Sequence, residues 1–332
     1  MPPAARDAAP LIDLHRHLEG SFRPETVAEL TVEHGLDGPR DAEAARAAIQ
    51  VPGQVPTLVD YLRCNDRAVE ALADLAACRR VAREAVQDAA AEGLGYVELR
   101  FSPGFMARPH GLDAADVTSA VADGVRDGMR ETGLEANLIG ILSRTFGPDA
   151  CRRELEALLT EADRIAALDL AGDELRWPGE LFEEHFRVGR EAGWQITVHA
   201  GEAAGAAGVR HAVERLGAQR VGHGVRAIED ASVVELLAER EIPLEVSLTS
   251  NVQTSTFARY AEHPLADLMR RGVRATITTD NPTASATTLP RELTEAAPAA
   301  GLDDDLVARA VETALESAFM TDAQRDRLGR GR

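Results

Sequence analysis

The stretch Asp13-Leu14-His15-Arg16-His17-Leu18-Glu19-Gly20 places two histidines two residues apart. In an extended strand alternate side chains share a face, so His15 and His17 can turn both imidazoles toward one metal ion. Three later stretches have the same character: Thr197-Val198-His199-Ala200-Gly201-Glu202, Val221-Gly222-His223-Gly224 and Thr278-Thr279-Asp280-Asn281-Pro282. Each closes a short apolar run with a histidine or an aspartate. Three imidazoles and a carboxylate are the nitrogen and oxygen donors that zinc prefers, with a position left open for water. Metal-assisted hydrolysis is the chemistry such a set performs. One His-x-His alone is a weak signal, whereas four run ends of this kind in one chain point to a shared site. His34, His110, His185, His211 and His263 fall in helices or loops away from those ends and read as surface or packing residues.

Side chains so far apart in sequence need a scaffold that gathers them. Short β-rich runs occur at 11–17, 94–102, 137–143, 166–172, 195–201, 220–224, 243–250 and 274–280, with helical periodicity between them. Eight strands alternating with helices predict an α/β fold of the (β/α)8 TIM-barrel type, in which the C-terminal strand ends converge on one rim. The helices are expected at 113–132, 151–165, 179–192, 208–216, 230–240 and 264–271, and glycines such as Gly133, Gly193, Gly217 and Gly272 read as stops. The connection after the first strand is far longer than a usual barrel loop, so a helical insertion over about residues 20–90 is expected there as part of a lid. After the eighth strand, 289–300 and 303–319 read as closing helices and about 322–332 as a disordered tail. One domain over 1–332 accommodates all of this.

Composition narrows the partners. The net charge of -19 opposes nucleic-acid binding, which needs basic patches. All 36 basic residues are arginine, which removes Schiff-base lysine chemistry. The three cysteines, Cys64, Cys78 and Cys151, lie singly and read as reduced thiols. Neither a membrane span nor a secretory signal is recognisable, so a cytoplasmic protein, monomeric or homodimeric, with a small uncharged substrate is expected.

In this order, HRHLEG, YVELRFSPGFM, LIGILSRTFG, LDLAGDE, TVHAGE, RVGHGV, LTSNVQTST and TTDNP resemble the bacterial adenosine deaminases of the metal-dependent amidohydrolase superfamily, from about residue 10 to about 320. The resemblance implies one zinc ion per subunit held by His15, His17, His199 and Asp280, with Asp280 also catalytic. It implies Glu202 as the acid/base residue and His223 as the group that orients the attacking hydroxide. Gly172 would offer its N–H to the purine N3, and His17, Glu19 and Asn281 would border the substrate. The expected reaction is hydrolytic deamination of adenosine or 2′-deoxyadenosine, with a purine nucleoside and water as partners. The Pro-Cys-x-x-Cys element of cytidine-deaminase-type enzymes does not occur.

Two positions depart from the family pattern. Glu19 stands where the family has an Asp that meets the ribose 5′-hydroxyl, and the adenine deaminase branch resembles the chain at that position. Asn281 stands where the family has a second Asp facing purine N7. An Asn amide donates to a neutral N7 but carries no charge with which to stabilise a developing cation. The departures leave three outcomes: a deaminase of adenosine, a deaminase of a modified adenosine analogue or other 6-aminopurine, and a nucleoside-binding homologue with little activity.

Overall fold

The structure is a computed structural model and describes residues 10–330. Eight parallel strands stand in chain order, each paired with the next: β1 (Leu11–His17), β2 (Leu94–Phe101), β3 (Glu135–Ser143), β4 (Ile165–Ala171), β5 (Gln195–Ala200), β6 (Arg220–His223), β7 (Leu244–Val246) and β8 (Ala275–Ile277). The ring closes just past the end of β8, where Arg16 pairs with Asp280, the His17 N–H donates to the Asp280 carbonyl at 2.6 Å, and the Asp280 N–H donates to the His15 carbonyl at 2.8 Å. The closing bonds therefore fall on the residues expected to carry chemistry. Helices separate the strands, as the (β/α)8 pattern requires. Among the described residues no helix is long and apolar enough to cross a membrane.

The long first connection folds as four helices, α1 (Pro24–Glu33), α2 (Ala42–Ile49), α3 (Leu58–Val69) and α4 (Leu75–Ala91). They divide the work. α4 packs in the outer barrel layer against the helix Ala114–Thr132, where a Cβ added at Gly124 would stand 2.2 Å from the Arg79 carbonyl oxygen; only glycine permits that approach. α3 instead leans over the strand ends. Tyr61 meets the Ser285 hydroxyl at 2.6 Å, the Val51 N–H donates to Ala284 at 2.8 Å, and the Val55 N–H to Gln253 at 2.8 Å.

Two expectations are corrected. The seventh run extends as a strand only to Val246, and Leu248–Gln253 turns into a helix. That turn brings Ser250 and Asn251 back onto the site, which a continued strand would carry past it. The segment from 322, expected to be disordered, is helical over Asp322–Arg330. Gln324 bonds Asn137 of β3, Arg325 donates to the Leu315 and Ala318 carbonyls, and Leu328 packs against the cluster of Ile12, Leu14 and Tyr96, so polar contacts and a single apolar anchor hold a segment without apolar periodicity. Residues 331–332 lie outside the described residues.

The barrel interior is ionic. Arg100 donates to Asp169 at 2.8 Å and to Glu245 at 2.7 Å, and Arg220 donates to Glu245 at 2.6 Å and also to Glu98. All five side chains are buried, so losing one partner strands a charge at about 3–5 kcal/mol.

Two further buried carboxyls make stability depend on pH. Glu154, which accepts from the Ser102 hydroxyl and from the Ser143 N–H at 2.6 Å, and Glu292, which accepts from Thr287 at 2.7 Å, are both raised by burial to about 7. The folded chain holds these protons more tightly than the unfolded chain. Their contribution is therefore complete below the ordinary value of 4.5 and is lost as pH rises through about 7. At about 1.4 kcal/mol for each pH unit, each group weakens the fold by about 3 kcal/mol above that range. Urea unfolding at pH 5 and pH 8 should show this loss in the parent and a flatter response in Glu154→Gln/Glu292→Gln. An identical response in both would refute the assignment.

Candidate metal centre and active site

Each expected ligand leaves its strand end aimed at one point. Asp280 Oδ1 lies 3.5 Å from His15 Nε2 and 3.3 Å from His17 Nε2, and His17 Nε2 lies 3.1 Å from His199 Nε2. His15, His199, His223 and Asp280 offer ligand atoms all within 4.8 Å of one another. Two of these residues are held in the left-handed region, His223 at φ 58° and Asp280 at φ 60°. Such backbone costs on the order of 1–3 kcal/mol and persists only where the surroundings over-determine it.

The second ring nitrogens decide what each imidazole presents. His15 donates Nδ1–H to Glu245 at 2.8 Å, and His199 donates Nδ1–H to Asp169 at 2.9 Å. Both Nε2 atoms are thereby left as bare lone pairs, the tautomer that carboxylate partners impose on metal-binding histidines. His15 Nε2 is buried without a hydrogen-bond partner and faces the Asp280 carboxylate. A lone pair facing an anion is repulsive until a cation sits between them, so the donor set fits a divalent metal with nitrogen and oxygen ligands.

His223 is different. The Leu265 N–H donates to His263 Nδ1 at 3.2 Å, so His263 carries its proton on Nε2 and gives it to Asn251 Oδ1 at 3.1 Å. Asn251 then donates its Nδ2 to His223 Nδ1 at 3.0 Å. With Nδ1 accepting, His223 holds its proton on Nε2, 3.6 Å from Glu202 Oε2, and acts as a donor. The relay sets His223 apart from the other imidazoles of the cluster, since the nitrogen it turns toward Glu202 carries a proton rather than a lone pair. His263, expected as a packing or surface residue, is in fact the buried anchor of this relay.

Electrostatics agree with a cation site. Burial lowers His17, His199 and His223 and so keeps them neutral, as metal binding requires. For His15 burial acts in the same sense, yet Asp280 and Glu245 outweigh it and the group is raised. Asp280 stays ionised despite burial, because His15, His17 and His223 surround it. Glu202 goes the other way: burial first, then the Asp280 charge, raise it well above the carboxylate range, and its Oε1 is buried without a partner. One site thus pushes Asp280 toward its anion and Glu202 toward its acid form, the separation that assigns anion and acid.

Above these groups opens a cavity of about 950 Å³ whose wall includes His17, Glu19, Gly172 and Glu202. Glu19 accepts the Ser102 N–H at 2.7 Å on Oε1 and leaves Oε2 buried and unpartnered, and burial raises it to about 7. Gly172 sits at φ 113°, and a Cβ there would meet Thr145 Oγ1 at 2.3 Å; its need for glycine arises within the chain, not only from a ligand. Asn281 is buried behind the wall, its Oδ1 accepting Asn65 Nδ2 at 2.9 Å. A Cβ on Gly20 would collide with Asn281 Oδ1 at 2.0 Å, which gives the glycine of HLEG a packing reason.

Sequence reasoning missed the supporting groups: Asp169, Glu245, Asn251, Ser250, which donates to Asp280 Oδ2 at 2.6 Å, and Glu174, whose carboxylate accepts the Gly201 N–H at 2.6 Å and the Ala204 N–H at 2.9 Å. A signal existed for Asp169 and Glu245, since a charged residue inside an apolar parallel strand needs a buried partner. None existed for Asn65.

Residues 10–330 match the family described as Adenosine deaminase. Adenosine deaminases of Shigella boydii serotype 18 and of Escherichia coli strain K12 are each 51% identical over 320 residues, 96% of both chains. Among solved structures, adenine deaminase from Arthrobacter aurescens superposes with a TM-score of 0.88 at 25% identity, covering 98% of this chain and 99% of that one. An amidohydrolase from Burkholderia ambifaria with bound zinc gives 0.86 at 26% identity, covering 96% and 88%. Barrel, site geometry and likeness over nearly the whole length agree: the chain belongs to the adenosine deaminase family.

Proposed function

We propose that the protein is a zinc-dependent deaminase that converts adenosine or 2′-deoxyadenosine with water into inosine or 2′-deoxyinosine and ammonia. The observation that carries this reading is the gathering of the His15, His17 and His199 imidazole nitrogens around Asp280, beside a Glu202 carboxyl that burial raises and that lines the same cavity. His15, His17, His199 and Asp280 would hold zinc, as the carboxylate-backed tautomers of His15 and His199 favour. A divalent cation there supplies a nucleophile from water at neutral pH, lowering the pKa of water to about 7.

The remaining steps belong to side chains. His223, with its proton on Nε2, orients the attacking oxygen and stabilises its charge. Glu202 delivers its proton to N1 as the C6–O bond forms, so negative charge does not build on the ring; the proton of the added hydroxyl then passes to the 6-amino group, the C6–N bond breaks, and ammonia leaves a 6-oxopurine. The Gly172 N–H meets N3 and Glu19 borders the sugar. The Asn281 amide, with Oδ1 already engaged by Asn65, meets the five-membered ring edge through Nδ2. Burial of His223, Glu202, Glu19 and Asn281 keeps water from competing for their bonds.

Glu19 and Asn281 favour a second reading, a deaminase of a modified adenosine analogue or another 6-aminopurine. Incubating the zinc-loaded protein with adenosine, 2′-deoxyadenosine, adenine and analogues altered at N7 separates the two, with ammonia and the product measured. Consumption of another aminopurine with adenosine untouched would establish the second reading, and no ammonia from any would overturn both. For the first, we expect Glu19→Asp/Asn281→Asp to raise kcat/KM for adenosine at least tenfold. An unchanged or lower value would show that these positions are matched to another substrate.

A further inference from the structure

Glu174 takes no part in the steps above, yet its carboxylate, 7% exposed, accepts from four consecutive backbone N–H groups. Oε1 takes Gly201 at 2.6 Å, while Oε2 takes Ala204 at 2.9 Å, Ala203 at 3.0 Å and Glu202 at 3.3 Å. A carboxylate has about four lone-pair sites, so these bonds use its whole capacity. Successive N–H groups turned onto one anion form a backbone nest, here filled by a side chain of the same chain. The helix Ala206–His211 closes over it: a Cβ on Gly208 would stand 3.0 Å from Glu174 Oε1.

The nest is the segment that carries Glu202. Its carbonyls are held from the opposite side, where the Gly224 N–H donates to Ala200 at 3.0 Å, the Arg226 N–H to Gly201 at 2.9 Å and Arg226 Nε to Glu202 at 2.9 Å. The loop after β5 therefore hangs between two supports, one from the loop after β6 and one from the loop after β4. The second is Glu174, two positions beyond Gly172. Gly172 is fixed separately, since the next N–H, that of Asp173, donates to Thr145 Oγ1 at 3.0 Å. Purine N1 and N3 belong to one six-membered ring, so an acid for N1 and a donor for N3 must be spaced to match it. Glu174 ties the segment bearing one to the segment bearing the other.

We infer that Glu174 is a positioning residue, which holds the loop 201–204 so that the Glu202 carboxyl meets N1 while the Gly172 N–H meets N3. This rests on the proposed function in taking Glu202 as the acid at N1. After burial and the Asp280 charge, the Glu174 charge also favours the acid form of Glu202.

The test uses the zinc-loaded parent, Glu174→Gln and Glu174→Asp, each with and without Glu202→Gln. Glutamine keeps the size but turns an NH2 onto N–H donors; aspartate keeps the charge but withdraws it by one methylene, so a folding defect in one leaves the other. A misplacement of about 1 Å can cost about 10²-fold, so both should lower kcat for adenosine at least about thirtyfold, with KM kept within about threefold and zinc content unchanged. In the Glu202→Gln background the same changes should cost less than about threefold, because a residue that acts through Glu202 has nothing left to position. Equal losses in both backgrounds, an unchanged kcat, or a change confined to KM would overturn the role. Hydrogen exchange reads the strut without turnover: the amides of 201–204 should be protected in the parent and exchange about 100-fold faster in both variants, with β5 unchanged. Rapid exchange there in the parent would refute the strut itself. No ammonia from the parent with any aminopurine, while these amides remain protected, would instead sink the deaminase reading and reduce Glu174 to a support of the fold.

Discussion

Dialysis against a chelator should abolish ammonia release, and added zinc should restore it; His15→Ala and Asp280→Ala should stay inactive at the zinc concentration that rescues the parent. The expected loss is at least 10⁴-fold, because the attacking oxygen has no other source at neutral pH. Every feature of the centre supports this outcome: a bare His15 Nε2 facing a carboxylate, His17 and His199 nitrogens 3.1 Å apart, and Asp280 held ionised among imidazoles. Asp169→Asn grades the effect. It weakens the acceptor that fixes the His199 tautomer, and zinc affinity, read by competition with a chromophoric chelator, should fall about 10–100-fold. Glu245→Gln should do the same and also destabilise the fold, since Glu245 anchors Arg100 and Arg220 as well as His15. Elemental analysis showing full activity in metal-free protein would end the proposal.

Glu202→Gln should reduce ammonia release by about 10³–10⁴-fold while zinc remains bound, since general acid–base groups contribute about 10²–10⁴ and this one also faces the reacting ring. The amide keeps the size and one acceptor of the carboxyl but cannot release a proton. The direction of the Glu202 shift adds a pH signature. A raised carboxyl keeps its acid form to higher pH than an ordinary glutamate and loses it as pH rises through the elevated value. The parent should therefore show an alkaline decline in kcat/KM, and the residual activity of Glu202→Gln should lack it. Unimpaired turnover in the variant would remove Glu202 from the chemistry. Loss of zinc together with activity would make it a structural support of the centre instead.

The two predictions separate because the two carboxyls have opposite electrostatic surroundings. Asp280 meets three imidazoles and a Ser250 hydroxyl, all of which favour its anion. Glu202 meets burial and the Asp280 charge, with only Arg226 opposing them. Nothing in the types Asp and Glu foretells this difference.

The strand ends, the eightfold alternation, the insertion and the run-end histidines and aspartate that the barrel gathers were legible in the sequence. Each rests on a local rule: period two along a strand, period 3.6 along a helix, and histidine or aspartate where an apolar run stops. Strand limits were read within a few residues, except where the seventh run turned into a helix. The tail was misread for a related reason: its helix is held by Asn137, Leu315 and Ala318, contacts that leave no periodic mark in a polar segment.

Local patterning thus determined which residues are available to the chemistry and the order in which the barrel presents them. Only the folded chain decided what state each is in. The proton on His223 is placed by a backbone N–H at Leu265 acting through His263 and Asn251, and the orientation of Asn281 is set by Asn65 from a helix more than 200 positions earlier. Tautomer, charge and amide orientation are properties of three-dimensional neighbours in a low-dielectric interior, where one hydrogen bond outweighs any intrinsic preference of the residue.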